Sequence, residues 1–124
     1  MTNQESVNKV MVYGSLLSGL HNHGVISTGE LLGTHTTKPE FTMYSLRGFP
    51  GVTHHGSTNI KGEVYEVDSN TFRDLDRLEG YPTFYTREVI DTPYGKAWIY
   101  LLNYPYNLSN EEVEDGDWRH YYSG

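Results

Sequence analysis

A carboxylate stands at position 79, where a helix is expected to bury carbon. The stretch from Asp68 to Pro82 carries a short helical pattern. Asp68, Ser69 or Asn70 can cap its start, and Gly80 with Pro82 ends it. At about 100° per residue, Phe72, Leu75 and Glu79 share one face, while Arg73, Asp74 and Arg77 point the other way. Position 79 also lies at the helix C-terminus, where the dipole disfavours an anion. Both effects favour the neutral acid and raise its pKa, the condition a general base needs to accept and return a proton near neutral pH. Helix geometry alone also allows a partly exposed glutamate in a fraying last turn.

A second candidate is Tyr13-Gly14-Ser15-Leu16, which follows a short β run. A glycine and a small hydroxyl residue let the backbone turn sharply and present successive N–H groups, a nest for a carboxylate or phosphate. An ordinary strand-to-loop turn has the same residues. The spacing around Ser15 does not fit a Gly-x-Ser-x-Gly nucleophile. The histidines, His21, His23, His35, His54, His55 and His120, form no His-x-x-x-His pair and have no cysteine partners. Asp76 lies beside Glu79 around the helix, but two carboxylates on adjacent turns flank a sugar poorly. Glu111, Glu112, Glu114 and Asp115 read as a solvated acidic run.

The elements that must position these residues are short. Lys9 to Tyr13 is a strand, preceded by a loose leader at 1–8. Leu16 to Gly24 reads as a loop or one to two helical turns. Val25 to His35 reads as one bent strand or two short ones, broken at Gly29 and Gly33. Phe41 to Leu46 alternates cleanly, Gly48 to Gly51 is a turn, and Asn59 to Val67 is a strand running into the helix. Phe84 to Ile90 and Lys96 to Leu102 flank Asp91-Thr92-Pro93-Tyr94-Gly95 as a hairpin. A tail, 105–124, is acidic and then aromatic. Many short strands with one clear helix predict an α+β fold, a small barrel, in a single domain.

Composition narrows the function classes. The chain has 124 residues, enough for a core without staples, and no cysteine, which excludes disulfides, thiolate catalysis and Cys-ligated zinc. The formal charge of −7 argues against nucleic acid or an anionic membrane as a partner. The longest apolar run, Ala97 to Leu102, is far short of the ~20 residues of a membrane helix. The polar N-terminus lacks a signal-peptide core, so the Asn107-Leu108-Ser109 sequon carries no meaning and a cytoplasmic location is expected. Eleven tyrosines and thirteen glycines suit a turn-rich β protein with amphipathic side chains lining a cleft.

Together Tyr13-Gly14-Ser15-Leu16, Leu75-Asp76-Arg77-Leu78-Glu79-Gly80-Tyr81-Pro82, Tyr85-x-Arg87, Lys96-Ala97-Trp98-Ile99-Tyr100 and Gly116-Asp117-Trp118 resemble the γ-glutamylcyclotransferase-like (AIG2-like) family. The γ-glutamylamine branch is the most similar. The resemblance runs from Val10 to Tyr104, with Gly116-Asp117-Trp118 matching a C-terminal signature. Ser15 departs from the threonine of many relatives and keeps the hydroxyl.

The resemblance implies a small mixed β-barrel with flanking short helices. It implies release of 5-oxoproline from a small γ-glutamyl amine or amino acid, by attack of the substrate's own α-amine on its γ-carbonyl. Glu79 is then the general acid/base, and Tyr13, Gly14, Ser15 and Leu16 hold the substrate α-carboxylate. Tyr85 lines the pocket or hydrogen-bonds the intermediate, and Arg87 is a pocket residue or a structural ion-pair partner. No cofactor and no metal is called for. The expected partner is a small molecule, in a monomer or weak homodimer. A non-catalytic binding or regulatory domain using the same pocket is the alternative reading.

Overall fold

In a computed structural model of the chain, residues 8–20, 22–46, 49–103 and 111–123 are described below. The expected leader (but for Asn8) and the 107–109 sequon lie outside them. Five strands form one sheet in the order β2-β5-β1-β7-β6: β1 (Lys9–Val12), β2 (Glu30–Thr36), β5 (Lys61–Glu66), β6 (Tyr85–Thr92) and β7 (Gly95–Leu102). A second sheet, β4-β3-β8, contains β3 (Phe41–Ser45), β4 (Pro50–His54) and β8 (Glu111–Glu112). Helix α1 (Ser69–Glu79) follows β5, and α2 (Trp118–Ser123) closes the described chain.

Strand β1 is central, antiparallel to β5 and parallel to β7. Its side chains alternate between two cores, as a period of two requires. Val10 and Val12 pack with Tyr65, Leu75 and Tyr100 on the α1 side, whereas Met11 and Tyr13 pack with Phe41, Met43, Val52 and Ile99 against the second sheet. All of these residues are buried. The mixed α+β architecture is as expected, but among the described residues the strands do not close into a barrel. The five-stranded sheet ends at β2 and β6. The gap is crossed by a side chain rather than a ladder: Tyr94, in the β6–β7 turn, donates its hydroxyl to Thr34 O at 3.0 Å. A bulge between Leu31 and Gly33 makes room for it. Gly33 has φ 152°, and a Cβ there would lie 2.0 Å from the Tyr94 hydroxyl oxygen.

Three local expectations are corrected. Val25 and Ile26 belong to a 3-10 turn, His23–Ile26, rather than a strand, because buried Ile26 anchors the turn to the core. Pro50 and Gly51 start β4 instead of making a turn. The strand lies at a sheet edge, where a first-residue proline leaves no ladder bond unmade. The acidic run is not wholly solvated: Glu111 and Glu112 are exposed but pair with β3, and Val113 and Trp118 are buried.

Candidate active site

The α1 helix begins where its sequence demands. The Asp68 carboxylate accepts the Thr71 N–H at 2.8 Å, an N-cap, and Gly80 ends the helix in the left-handed region at φ 69°. Fully buried Leu75 seats the helix on the sheet, which brings Glu79 in the last turn into a cleft of about 470 Å³. Glu79 is mostly buried there, and that burial raises its carboxyl pKa from 4.5 to about 7. Leu78, 43 % exposed, stands at the cleft's edge with Phe49 and Phe84.

The loop after β1 forms the opposite wall. The Leu17 N–H donates to Gly14 O at 2.9 Å, so the chain turns at once after Tyr13. Asn22 braces the turn twice, through its N–H to Ser15 O (3.0 Å) and its Nδ2 to Ser15 Oγ (2.7 Å). Glu63 on β5 holds the next residue but two: its carboxylate accepts both the N–H and the hydroxyl of Ser18 at 2.9 Å, and Arg119 of α2 closes on it at 3.2 Å. Gly14 has no room for a side chain, since a Cβ would lie 2.8 Å from Pro50 Cγ. Among the described residues, no backbone carbonyl takes the N–H of Ser15 or Leu16, and both residues line the cleft.

Tyr13, Gly14, Ser15, Leu16, Glu79 and Tyr85 therefore border one cavity. Tyr85 does so with its hydroxyl committed, donating to Pro50 O at 2.6 Å. That bond uses the one hydrogen the phenol has to donate. Arg87 is an ion-pair partner: its Nε and Nη2 donate to the two oxygens of Asp76 at 2.9 and 3.0 Å. Its guanidinium sits 4.1, 4.5 and 4.7 Å from the ring centres of Tyr81, Trp98 and Phe72. Burial pushes the Asp76 carboxyl up, but hydrogen bonds from Arg87 and Tyr100 outweigh it and hold Asp76 below the usual aspartate value. Asp76 is thus engaged elsewhere and forms no carboxylate pair with Glu79.

Sequence reasoning assigned no role to Tyr100. Its hydroxyl donates to Asp76 Oδ1 at 2.7 Å, its carbonyl accepts the Tyr13 hydroxyl at 2.7 Å, and it lines the cleft. A signal was present, because counting back from the hairpin turn pairs Arg87 with Tyr100 across β6 and β7. Asn22, also a lining residue, carried no such signal.

Three of the histidines have polar partners. His23 Nδ1 contacts Leu16 O at 3.0 Å, His54 lies 3.2 Å from Glu88, and His120 lies 3.0 Å from Asp115; His21 is outside the described residues. Among the described residues no group of three or more His, Asp or Glu side chains could hold a metal ion, and no helix is long and apolar enough to cross a membrane.

Comparison with known proteins places the chain in context. The family model for gamma-glutamyl cyclotransferase, AIG2-like, matches residues 10–120. A Vibrio cholerae protein, provisionally named a gamma-glutamylcyclotransferase, is 42 % identical over 109 residues, covering 88 % of this chain and 93 % of that one. Gamma-glutamylcyclotransferase family protein YtfP of Escherichia coli is 36 % identical over 110 residues, covering 89 % and 95 %. The solution structure of the Escherichia coli YtfP protein superposes with a TM-score of 0.72 over the same shares of the two chains. An uncharacterized protein of Pyrococcus horikoshii, 27 % identical, superposes with a TM-score of 0.80 over 94 % of this chain and 92 % of that one.

Proposed function

Since the chain belongs to the gamma-glutamyl cyclotransferase, AIG2-like family, we propose that it releases 5-oxoproline from a small γ-glutamyl amine or γ-glutamyl amino acid, with Glu79 as general acid and base. The observation that carries this reading is a carboxyl with pKa about 7 in the cleft that also bears the Tyr13–Leu16 turn.

Glu79 takes a proton from the substrate's α-ammonium group. The freed amine attacks the γ-carbonyl carbon, forming the lactam C–N bond. The protonated Glu79 then gives its proton to the departing nitrogen as the original amide C–N bond breaks. It takes the second proton from the ring nitrogen and passes it to the released amine, which leaves as its ammonium ion. Nucleophile and electrophile belong to one molecule, so the protein's tasks are folding the substrate into its attack conformer and moving protons. Orientation can supply ~7–11 kcal/mol of barrier lowering, and a placed base about 10²–10⁴-fold. The Ser15 and Leu16 N–H groups take the α-carboxylate, the role a nest of backbone donors suits. The apolar edge at Phe49, Leu78 and Phe84 faces the leaving group. In this reading the protein acts as one domain, in the cytoplasm, without cofactor or metal.

The test is 5-oxoproline release from a panel of γ-glutamyl amines and dipeptides. Glu79→Gln is expected to abolish release while the circular dichroism and melting remain those of a folded protein. Normal turnover by that variant would overturn the mechanism, and tight binding without release across the panel would favour a binding domain.

A further inference from the structure

The hydrogen-bonding groups of the cleft are sorted by direction. Tyr13, Tyr85 and Tyr100 each give their hydroxyl hydrogen to a protein acceptor, respectively Tyr100 O (2.7 Å), Pro50 O (2.6 Å) and Asp76 Oδ1 (2.7 Å). A phenol whose one hydrogen is so committed can only accept at its oxygen; that of Tyr13 already takes the Val52 N–H, whereas that of Tyr100 stands in the cleft near Glu79. Ionised Glu79 beside them also only accepts. The loop end is the reverse: Ser15 Oγ receives the Asn22 amide hydrogen and keeps its own to donate, next to the Ser15 and Leu16 N–H groups. A donor end facing an acceptor end complements a zwitterion, carboxylate to one side and ammonium to the other.

Tyr100 is the acceptor whose direction is most strongly enforced. The charged groups around its hydroxyl are Asp76 and Glu79 from α1 and Arg87 from β6. Asp76 is gripped on both oxygens by Arg87, and Arg87 is boxed by three aromatic rings. An ionised carboxylate has no hydrogen to return, so the Tyr100 hydrogen points to Asp76 and not to Glu79. That direction has a second effect. A hydroxyl donating to Glu79 would stabilise its anion and weaken it as a base.

We propose that the Tyr100 hydroxyl oxygen, with its hydrogen turned to Asp76, receives the substrate's α-ammonium group alongside Glu79, and that Asp76 and Arg87 are positioning residues acting through Tyr100. The ammonium then holds one N–H on Tyr100 while another is surrendered to Glu79, which orients the nitrogen toward the γ-carbonyl. The proposal rests on the γ-glutamyl reading of the cleft.

The experiment compares a γ-glutamyl N-alkylamide substrate with the glutaric acid mono-N-alkylamide, which lacks the α-amine and serves as a competitive inhibitor. Tyr100→Phe keeps the ring and its packing. It is expected to lower kcat/KM for the substrate about 10–100-fold, the range of a hydrogen bond to a charged group, with the inhibitor's Ki unchanged. Asp76→Asn is expected to produce the same selective loss, and to move the acid limb of the pH–kcat/KM profile to lower pH as Tyr100 becomes free to donate to Glu79. Equal losses for substrate and inhibitor, or no loss in Tyr100→Phe, overturn the ammonium assignment. Normal turnover by Glu79→Gln would instead overturn the reading of the base, a separate result.

Discussion

Asp76 and Glu79 stand three residues apart on α1, one turn of a single helix, yet their carboxyls are driven in opposite directions. Arg87 and Tyr100 hold Asp76 below the aspartate range against its burial, whereas burial alone lifts Glu79 to about 7. Helix position is nearly shared, so the difference comes from partners. One acid has a guanidinium and a phenol; the other faces a cleft walled by phenols with committed hydrogens. Such divergence suits the proposed division of roles, with Asp76 in the framework and Glu79 moving protons.

The acid limb of kcat/KM is expected near pH 7, where Glu79 ionises in the free protein. Below it the rate should fall about tenfold per pH unit. A limb near the ordinary glutamate range, measured across several buffers, would contradict the assignment of the base.

Glu79 should also reduce stability at alkaline pH. Its folded pKa lies above the unfolded value of 4.5, so the folded state binds the proton more tightly. The associated stability is complete below pH 4.5 and is lost as pH rises through about 7. Glu79→Gln should therefore unfold in urea like the parent at pH 4 and be more stable at pH 8. The gain is on the order of 1–3 kcal/mol, with the upper figure reduced by residual solvent screening. A difference that does not change with pH would count against the buried carboxyl.

The Asp76–Arg87 pair has the opposite sign. Its side chains are 23 % and 16 % exposed, so removing one charge strands the other in a mostly dry setting. Asp76→Asn is expected to cost roughly 2–4 kcal/mol at neutral pH. Because the folded pKa of Asp76 is depressed, this contribution is present above the ordinary aspartate range and lost as pH falls through the folded value. Melting curves of parent and variant should converge in acid.

Glu63 offers a test of the loop without touching the base. It is 8 % exposed and accepts from Ser18 twice, from Tyr65 and from Arg119. Glu63→Ala should loosen the turn that carries Ser15 and Leu16, raising KM roughly tenfold with kcat nearly unchanged, a loss of uniform binding. A fall in kcat at constant KM would place Glu63 in the chemistry instead.

Much of the scaffold was legible because its signals are local. The caps at Asp68 and Gly80 bound α1, and alternation together with the turn at 91–95 located the β6–β7 hairpin. The same helix face allowed either a buried Glu79 with a raised pKa or an exposed one in a fraying turn, and burial in the cleft decides for the first. What escaped were pairings that topology decides. Arg87 and Asp76 are 11 residues apart and meet only because β6 returns beside α1, and Tyr100 reaches Asp76 from a third element. Val25 and Ile26 misled because β-branched side chains fit a buried turn as well as a strand. Pro50 misled because a sheet edge tolerates the residue that sheet centres reject.

The parallel pairing of β1 with β7 sets an order of events on the ribosome. The loop at 13–18 hangs from β1, whose neighbours are β5 at Lys61–Glu66 and β7 at Gly95–Leu102. Its brace comes later still, from Arg119. Contacts so distant in sequence close late. A nascent chain that has emerged only through Glu79 therefore carries the proposed base without the braced loop proposed to hold the carboxylate, and the two come together only after residues through Arg119 have been made.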